Sequence, residues 1–298
     1  MTPGFVVATT TWNAADLVGP FLGHLELLGA QAVLVMDYDS DDGTQDVLSS
    51  SRWVHLVRRV PFPGLEKLDP SNVTLAVARR EFPDAWALFC DPDEFIASDG
   101  MDLGTVAARE RWQDVDLVRL ERRNMTGRRS VLADIDRAPF TSLLTLRIER
   151  RSMRTPRERS GGPLLTPWIF SAVPEKVLVR LSACHVIGAG DHVATMDSSR
   201  MLTSASARLL HYPFRSFGQF EDKVRNARED LARNPHLPPG FAWHWRRWID
   251  LHARGLLEDE YRLQFPADDD VDAMLASGAL VEDRSVARFH APSVAAGA

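Results

Sequence analysis

Four short apolar runs, separated by helix-length segments, set the tightest limit on how this chain folds. "FVVATT" (Phe5–Thr10), "AVLVM" (Ala32–Met36), "WVHLV" (Trp53–Val57) and "WALFC" (Trp86–Cys90) read as strands. After the first, Asn13 is a candidate N-cap, and Ala14, Leu17, Val18, Phe21, Leu25 and Leu28 recur at helical spacing before Gly29 supplies a stop. A short helix is expected over Thr44–Ser50, and Asp69 or Ser71 caps another that runs to about Phe82. Alternating strand and helix predicts an α/β fold, a mainly parallel sheet with helices on both faces. Such sheets bind ligands at the carboxyl ends of their strands. Two acidic clusters, Asp37–Asp42 and Asp91–Glu94, fall at those ends.

Length and charge narrow the function classes. The 298 residues suit one large domain or two modest ones. A net charge of −6 argues against a nucleic-acid partner held by a broad basic surface. Only Lys67, Lys176 and Lys223 are lysines among the 35 basic residues, a bias from which no mechanism follows. Two cysteines, Cys90 and Cys184, make neither a disulfide framework nor a zinc site, so a cytoplasmic setting is expected. The N-terminus enters the first strand without a charged-then-apolar leader, and no apolar run approaches the roughly 20 residues that span a bilayer. Peripheral membrane contact stays open.

Beyond Leu103, "DLVRLERR", "LLTLRIER" and "EKVLVRL" read as further strands. Six arginines between Arg147 and Arg159, before a Gly-Gly-Pro, suggest a mobile loop, either closing over an anion or simply solvated. Ser216 and Gln219 form a capping box for a helix to about Leu231; "PHLPPG" breaks it and "WHWRRW" opens the next. Trp243, Trp245 and Trp248 offer either flat faces for sugar rings or core packing. The expected organisation is a catalytic domain over 1–232, with a nucleotide-binding half (1–100) and an acceptor-side half (101–232). A C-terminal helical region (233–288) and a disordered tail (289–298) follow.

The acids suggest the chemistry. Asp91 and Asp93, one residue apart at a strand end, can grip a divalent cation through hard oxygens, with Glu94 as a hydrogen-bond partner behind them. A metal so held neutralises a departing diphosphate. A solvated acidic turn is the alternative. "DYDSDDGT" is not a calcium loop, because the sixth and twelfth positions from Asp37 are Asp42 and Leu48 rather than Gly and Glu. Ser40 and Asp42 instead suit capping of the following helix, Gly43 a tight turn, and Asp37 contact with a ligand such as a nucleobase.

Three segments together resemble a known family. "MDYDSDDGT" is similar to the aspartate and Ser-x-Asp-Gly-Thr pattern of GT-A-fold glycosyltransferases, and "WALFCDPDEF" to their W-x-x-x-x-D-x-D-E-F segment. "LLHYPFRSFGQFEDKV" resembles the third signature of the family 2-like branch that includes the family 92 (DUF23-type) transferases. The resemblance covers Phe5 to Arg225 and implies a GT-A-like, Rossmann-related sheet with a C-terminal helical extension. It implies that Asp37 contacts the nucleotide base, with Thr10 or Thr11 in the same pocket, and that Asp91 and Asp93 bind Mn²⁺ or Mg²⁺. His211 becomes a third metal ligand, Arg215 and Lys223 meet phosphate charge, and Lys176 and His192 match a Lys-then-His pattern on the phosphate and acceptor side. One departure is Ala14, where many relatives carry Glu after the Asn.

The implied activity is transfer of a sugar, from a nucleotide-diphosphate donor with UDP favoured, to a hydroxyl of a glycan or small-molecule acceptor, with inversion. A base must then take the acceptor proton. Asp191 lies where this fold usually puts one; Glu149, Asp134 and Asp136 are rivals. A catalytically silent nucleotide- or sugar-binding protein fits the same residues. A nucleotidyltransferase fits less well, since "ATTTWNAAD" lacks a glycine-rich basic phosphate loop.

Overall fold

In the computed structural model, residues 4–59, 69–98, 102–153, 166–238, 240 and 242–286 are described. The elements run β1 (Phe5–Thr11), α1 (Ala15–Leu27), β2 (Ala32–Asp37), α2 (Thr44–Ser50), β3 (Val54–Arg59), α3 (Pro70–Glu81), β4 (Trp86–Phe89), β5 (Glu94–Ser98) and α4 (Leu103–Arg109). Next come β6 (Leu117–Thr126), α5 (Phe140–Leu143), β7 (Leu146–Ile148), β8 (Lys176–Arg180), β9 (Cys184–Ile187), β10 (Ala194–Met196) and β11 (Met201–His211). The chain ends with α6 (Phe217–Arg233), α7 (Trp243–Ala253), α8 (Leu257–Leu263), α9 (Asp268–Ala276) and β12 (Leu280–Glu282).

Contacts among the described residues form two units, one within 4–123 and 173–211, the other within 124–172 and 212–286. The first holds the α/β sheet that the strand–helix alternation predicts. Strands β3, β2, β1 and β4 lie side by side and parallel, with Val6 opposite Ala32 and Ala87. The antiparallel β8 continues the sheet beside β4, and the start of β6 beside β8. Alternate residues Val6, Ala8, Ala32, Leu34, Ala87, Phe89, Val177 and Val179 pack with Leu75 and Ala78 of α3 in one core cluster. That two-residue period on the strands and three-residue step on the helix is why both read clearly in the sequence. Within the same unit β5 pairs with β11, and β9 with β10.

Helix ends follow sequence chemistry at α3 and depart from it at α1. Asp69, not Ser71, caps α3, accepting from the Asn72 amide at 3.3 Å, with Pro70 in the first turn. Asn13 does not cap α1. Ala14 precedes that helix, and its amide donates to Thr44 Oγ1 at 2.8 Å while the Ala15 amide donates to Asp42 Oδ2 at 3.0 Å. Asn13, at a left-handed φ of 45°, exchanges two hydrogen bonds with Asp41. The loop after β2 therefore caps the helix after β1.

The second unit contains β7 and β12, antiparallel, with the last residues of β6 beside β7, and helices α5 to α9. The Ser216 cap of α6 forms as expected, accepting from the Gln219 amide. Trp248 is buried against Phe214, Phe220 and Trp168, so core packing is its role; Trp243 and Trp245 are half-buried. The Arg154–Arg159 part of the arginine run and the tail from 287 lie outside the described residues. Among the described residues no helix is long and apolar enough to cross a membrane.

Leu75 is 2% exposed and belongs to the core cluster that α3 shares with β1 and β2. Leu75→Ala should destabilise the protein by about 2–5 kcal/mol in urea unfolding, and a loss below about 1 kcal/mol would contradict the packing described.

Candidate active site

β1 lies between β2 and β4, all parallel, so the carboxyl ends of the three open on one edge. Thr11 is level with Asp37, and β4 stops sooner, with Phe89 level with Ala8. With strands about 4.8 Å apart, the tips of β2 and β4 are about 10 Å from each other across β1. A cavity of about 260 Å³ lies at the opposite, amino-terminal edge beside Gly4, Phe5, Trp86 and Trp112, away from the acids.

The acids after β4 form a turn. The Glu94 amide donates to the Asp91 carbonyl at 3.0 Å, and the Asp91 amide donates to Glu94 Oε2 at 3.1 Å. Asp first and Pro second is the favoured order in a β-turn, which explains the proline wedged between acids. The turn leaves Asp91 half-exposed and buries Asp93 and Glu94. Glu94 opens β5 directly opposite His211, the last residue of β11. His211 Nε2 consequently lies 3.9 Å from Asp93 Oδ1, with both residues buried.

A second set of partners comes from β8 and β6. β8 runs antiparallel to β4 with Leu178 opposite Leu88, so its first residue, Lys176, reaches the end of β4. Lys176 Nζ is 3.2 Å from Asp91 Oδ2 and 3.6 Å from both Glu94 Oε2 and Asp191 Oδ2. Arg122 of β6 also pairs with Glu94. Burial pushes the Glu94 carboxyl up to about 7, as does the Asp91 charge, while Lys176 and Arg122 pull it down. Burial opposes the Lys176 charge, yet Asp91, Glu94 and Asp191 outweigh it and hold the ammonium above the usual lysine range.

Asp191 ends a short turn, Ala189–Asp191, and is itself left-handed at φ 61°. Gly190 before it has φ 69°, and a Cβ there would lie 2.9 Å from the His192 ring, so only glycine fits. Ser71 Oγ donates to Asp191 Oδ1 at 2.6 Å, and both line a niche of about 10 Å³ with Thr10 and Pro70. Burial pushes the Asp191 carboxyl up, against Lys176 and Ser71. His192 Nδ1 pairs with the Glu175 carbonyl at 2.8 Å, an acceptor, so that nitrogen carries the proton and Nε2 keeps its lone pair.

The two β1 threonines separate. Thr10 joins Asp191, whereas Thr11 Oγ1 donates to Asp37 Oδ1 at 2.8 Å. Asp37 also accepts from the Ser40 amide at 3.1 Å, Ser40 Oγ at 2.6 Å and Gln45 Nε2 at 2.9 Å. Its carboxylate organises the loop after β2, and Ser40 serves Asp37 and the Asn13 amide rather than capping α2. Asp42 does bond the Thr44 amide, and Gly43 takes φ 97°, as expected. Arg215 and Lys223 belong to the second unit. There Arg215 is buried, its guanidinium 5.8 Å from the Phe140 ring and its carbonyl accepting from the Tyr261 hydroxyl at 3.0 Å; Lys223 is half-buried on α6. Asp134, Asp136 and Glu149 are in that unit too, Glu149 paired with Arg147.

Arg122 and Ser71 are the contributors that sequence reasoning missed. Arg122 lies among Arg119, Glu121 and Arg123, so nothing in the sequence singles it out; for Ser71 the signal was a first-turn hydroxyl left over once Asp69 takes the cap.

Among the described residues no three His, Cys, Asp or Glu side chains are grouped to hold a metal alone. A carboxylate and an imidazole facing each other at 3.9 Å do fit Mn²⁺ or Mg²⁺ of the kind that takes one or two protein ligands and completes its shell with water and substrate phosphate.

No family model matches the sequence, and no curated protein matches it. Among solved structures, the chain is similar to TarS 1–349 from S. aureus, at 16% identity over 76% of this chain and 65% of that one, with a TM-score of 0.42. It spans only 40% of the longer TarS structure. It is also similar to the mannosyltransferase PcManGT from Pyrobaculum calidifontis in complex with GDP-Man and Mn²⁺, at 17% identity, 93% and 76% coverage and TM-score 0.40. For mannosyl-3-phosphoglycerate synthase from Rubrobacter xylanophilus the values are 16%, 80%, 78% and 0.38. At such scores these likenesses carry no weight in the functional reading, which rests on the site.

Asp37→Ala would leave three side-chain donors and an amide without their acceptor. It should lower stability by about 2–3 kcal/mol, read as a lower urea midpoint with an unchanged slope; an unchanged midpoint would show the carboxylate is not the loop's hub.

Proposed function

We propose that this protein is a glycosyltransferase that moves a sugar from a nucleoside-diphosphate donor, UDP-sugar favoured, to a hydroxyl of a glycan or small-molecule acceptor. The reaction is a single inverting displacement aided by Mn²⁺ or Mg²⁺, and the three motifs favour the family 92-like branch. The observation that carries the reading is the meeting of Asp93 with His211, at the strand edge that also bears the Asp37 loop.

Asp93 and His211 would hold the divalent ion, which supplies positive charge for the leaving diphosphate; Asp91, the third residue expected there, is paired with Lys176. Asp37, fixed by Thr11, Ser40 and Gln45, shapes the loop on the far side of β1 against which the nucleoside base lies. Asp191 takes the acceptor proton. Its buried position makes it a stronger base than an exposed aspartate, and Ser71 orients one oxygen so that the other remains for Lys176 or the acceptor. Thr10 and Ser71 flank the niche where that hydroxyl approaches. His192 presents Nε2 as a further acceptor atom on the same side.

Hydrolysis and transfer assays with a panel of nucleotide sugars, with and without Mn²⁺, test this. Asp93→Ala and His211→Ala should each lose the Mn²⁺-dependent rate while melting near wild type; retained rate in either removes that residue from the mechanism. Asp191→Asn should lower kcat by about 10²–10⁴ with little change in donor KM. Tight nucleotide binding without turnover on any donor would support the silent binding protein instead.

A further inference from the structure

The two acids of the D-x-D turn face different partners. Asp93 faces His211, while Asp91 faces Lys176, whose residue is 1% exposed and whose ammonium also lies 3.6 Å from Glu94 and from Asp191. A buried ammonium among three carboxylates does what a bound metal ion does electrostatically: it offsets their mutual repulsion without any ligand present. It also raises the energy of a second cation arriving nearby, by like-charge repulsion. Arg122, paired with Glu94, adds to that effect. A divalent ion entering alone would therefore find two protein donors, a carboxylate that is already paired and a positive charge beside it. With a nucleoside diphosphate, the same ion gains phosphate oxygens and their negative charge.

We propose that Lys176 is an internal stand-in cation that keeps the acid turn from binding a divalent ion until a nucleoside diphosphate arrives, so that metal and donor load together. The inference rests on the diphosphate-donor reading above and adds an order to it. Lys176 is a positioning residue in this sense: it acts through Asp91, Glu94 and Asp191 and not on the reacting atoms.

The measurement is loss of the free Mn²⁺ electron paramagnetic resonance signal on titration with the full chain, alone and with UDP or GDP, so no turnover is needed. Wild type should bind Mn²⁺ at least about tenfold more tightly with nucleotide than without. Lys176→Met should bind Mn²⁺ alone about tenfold or more tighter than wild type, shrinking the nucleotide effect, whereas Lys176→Arg should keep the wild-type pattern. Removing a buried partner charge can unfold a protein, so Lys176→Gln, which keeps a hydrogen-bonding group beside Asp91 and Glu94, is the second variant and should show the same gain. Wild type binding Mn²⁺ equally well with and without nucleotide would overturn the inference, as would variants no tighter than wild type. Either result leaves metal-dependent transfer standing. No Mn²⁺ binding in any protein, even with UDP and GDP, would bring down both.

Discussion

Four carboxylates, Asp91, Asp93, Glu94 and Asp191, sit at one strand edge, and two are buried almost completely. Charges taken from water are tolerated only with partners, and removing one partner of a buried pair costs about 3–5 kcal/mol. Exposed pairs such as Arg225–Glu221 or Arg262–Glu258 contribute about 0–1 kcal/mol each. The comparison identifies which pairs the site depends on. Lys176, sealed from water, and Arg122, largely buried, make the acid turn compatible with a folded core. Arg247–Glu260, between α7 and α8, is a further buried pair, whereas the exposed pairs along α6, α7 and α8 add little to helices that packing already holds.

β1 carries the geometry that uses these charges. It is hydrogen-bonded to β2 on one side and β4 on the other, so its last residues stand between the loop of Asp37 and the turn of Asp91. Its pleat then divides the work. Thr11 fixes Asp37, and Thr10, one residue back, lines the same niche as Asp191 and Ser71. The loop after β2 also caps α1 through Asp42 and Thr44, which ties the first two βα connections into one hydrogen-bonded piece. A ligand at this edge would meet surfaces whose side chains are held by each other, which keeps the entropic loss on binding small.

The parts legible in the sequence were those with local causes. The parallel strands showed as apolar runs, α3 as a capped periodic helix, α6 as a capping box, and the turn at Asp91 as Asp-Pro followed by acids. β5 and β11 escaped notice. "EFIAS" is short and begins with a charge, and "MLTSASARLLH" alternates small polar residues that read equally as loop. Their pairing is set by partners more than a hundred residues apart, which no local pattern encodes. Asn13 failed as a cap for the same reason: its competitor, Asp42, comes from another loop.

That distance dependence bears on how the D-x-D motif should be understood. Asp91 and Asp93 are alike in sequence and differ in neighbours. Asp93 meets an imidazole because β11 pairs with β5 in the register that sets His211 opposite Glu94, and Asp91 meets an ammonium because β8 begins level with the end of β4. A slip of one residue in the β5–β11 register would turn His211 to the other face and leave Asp93 without its imidazole. The residue types at the turn supply the charge, but strand register decides that one acid faces an imidazole and the other an ammonium. Sequence motifs of this kind specify a charge; the sheet specifies its counter-ion.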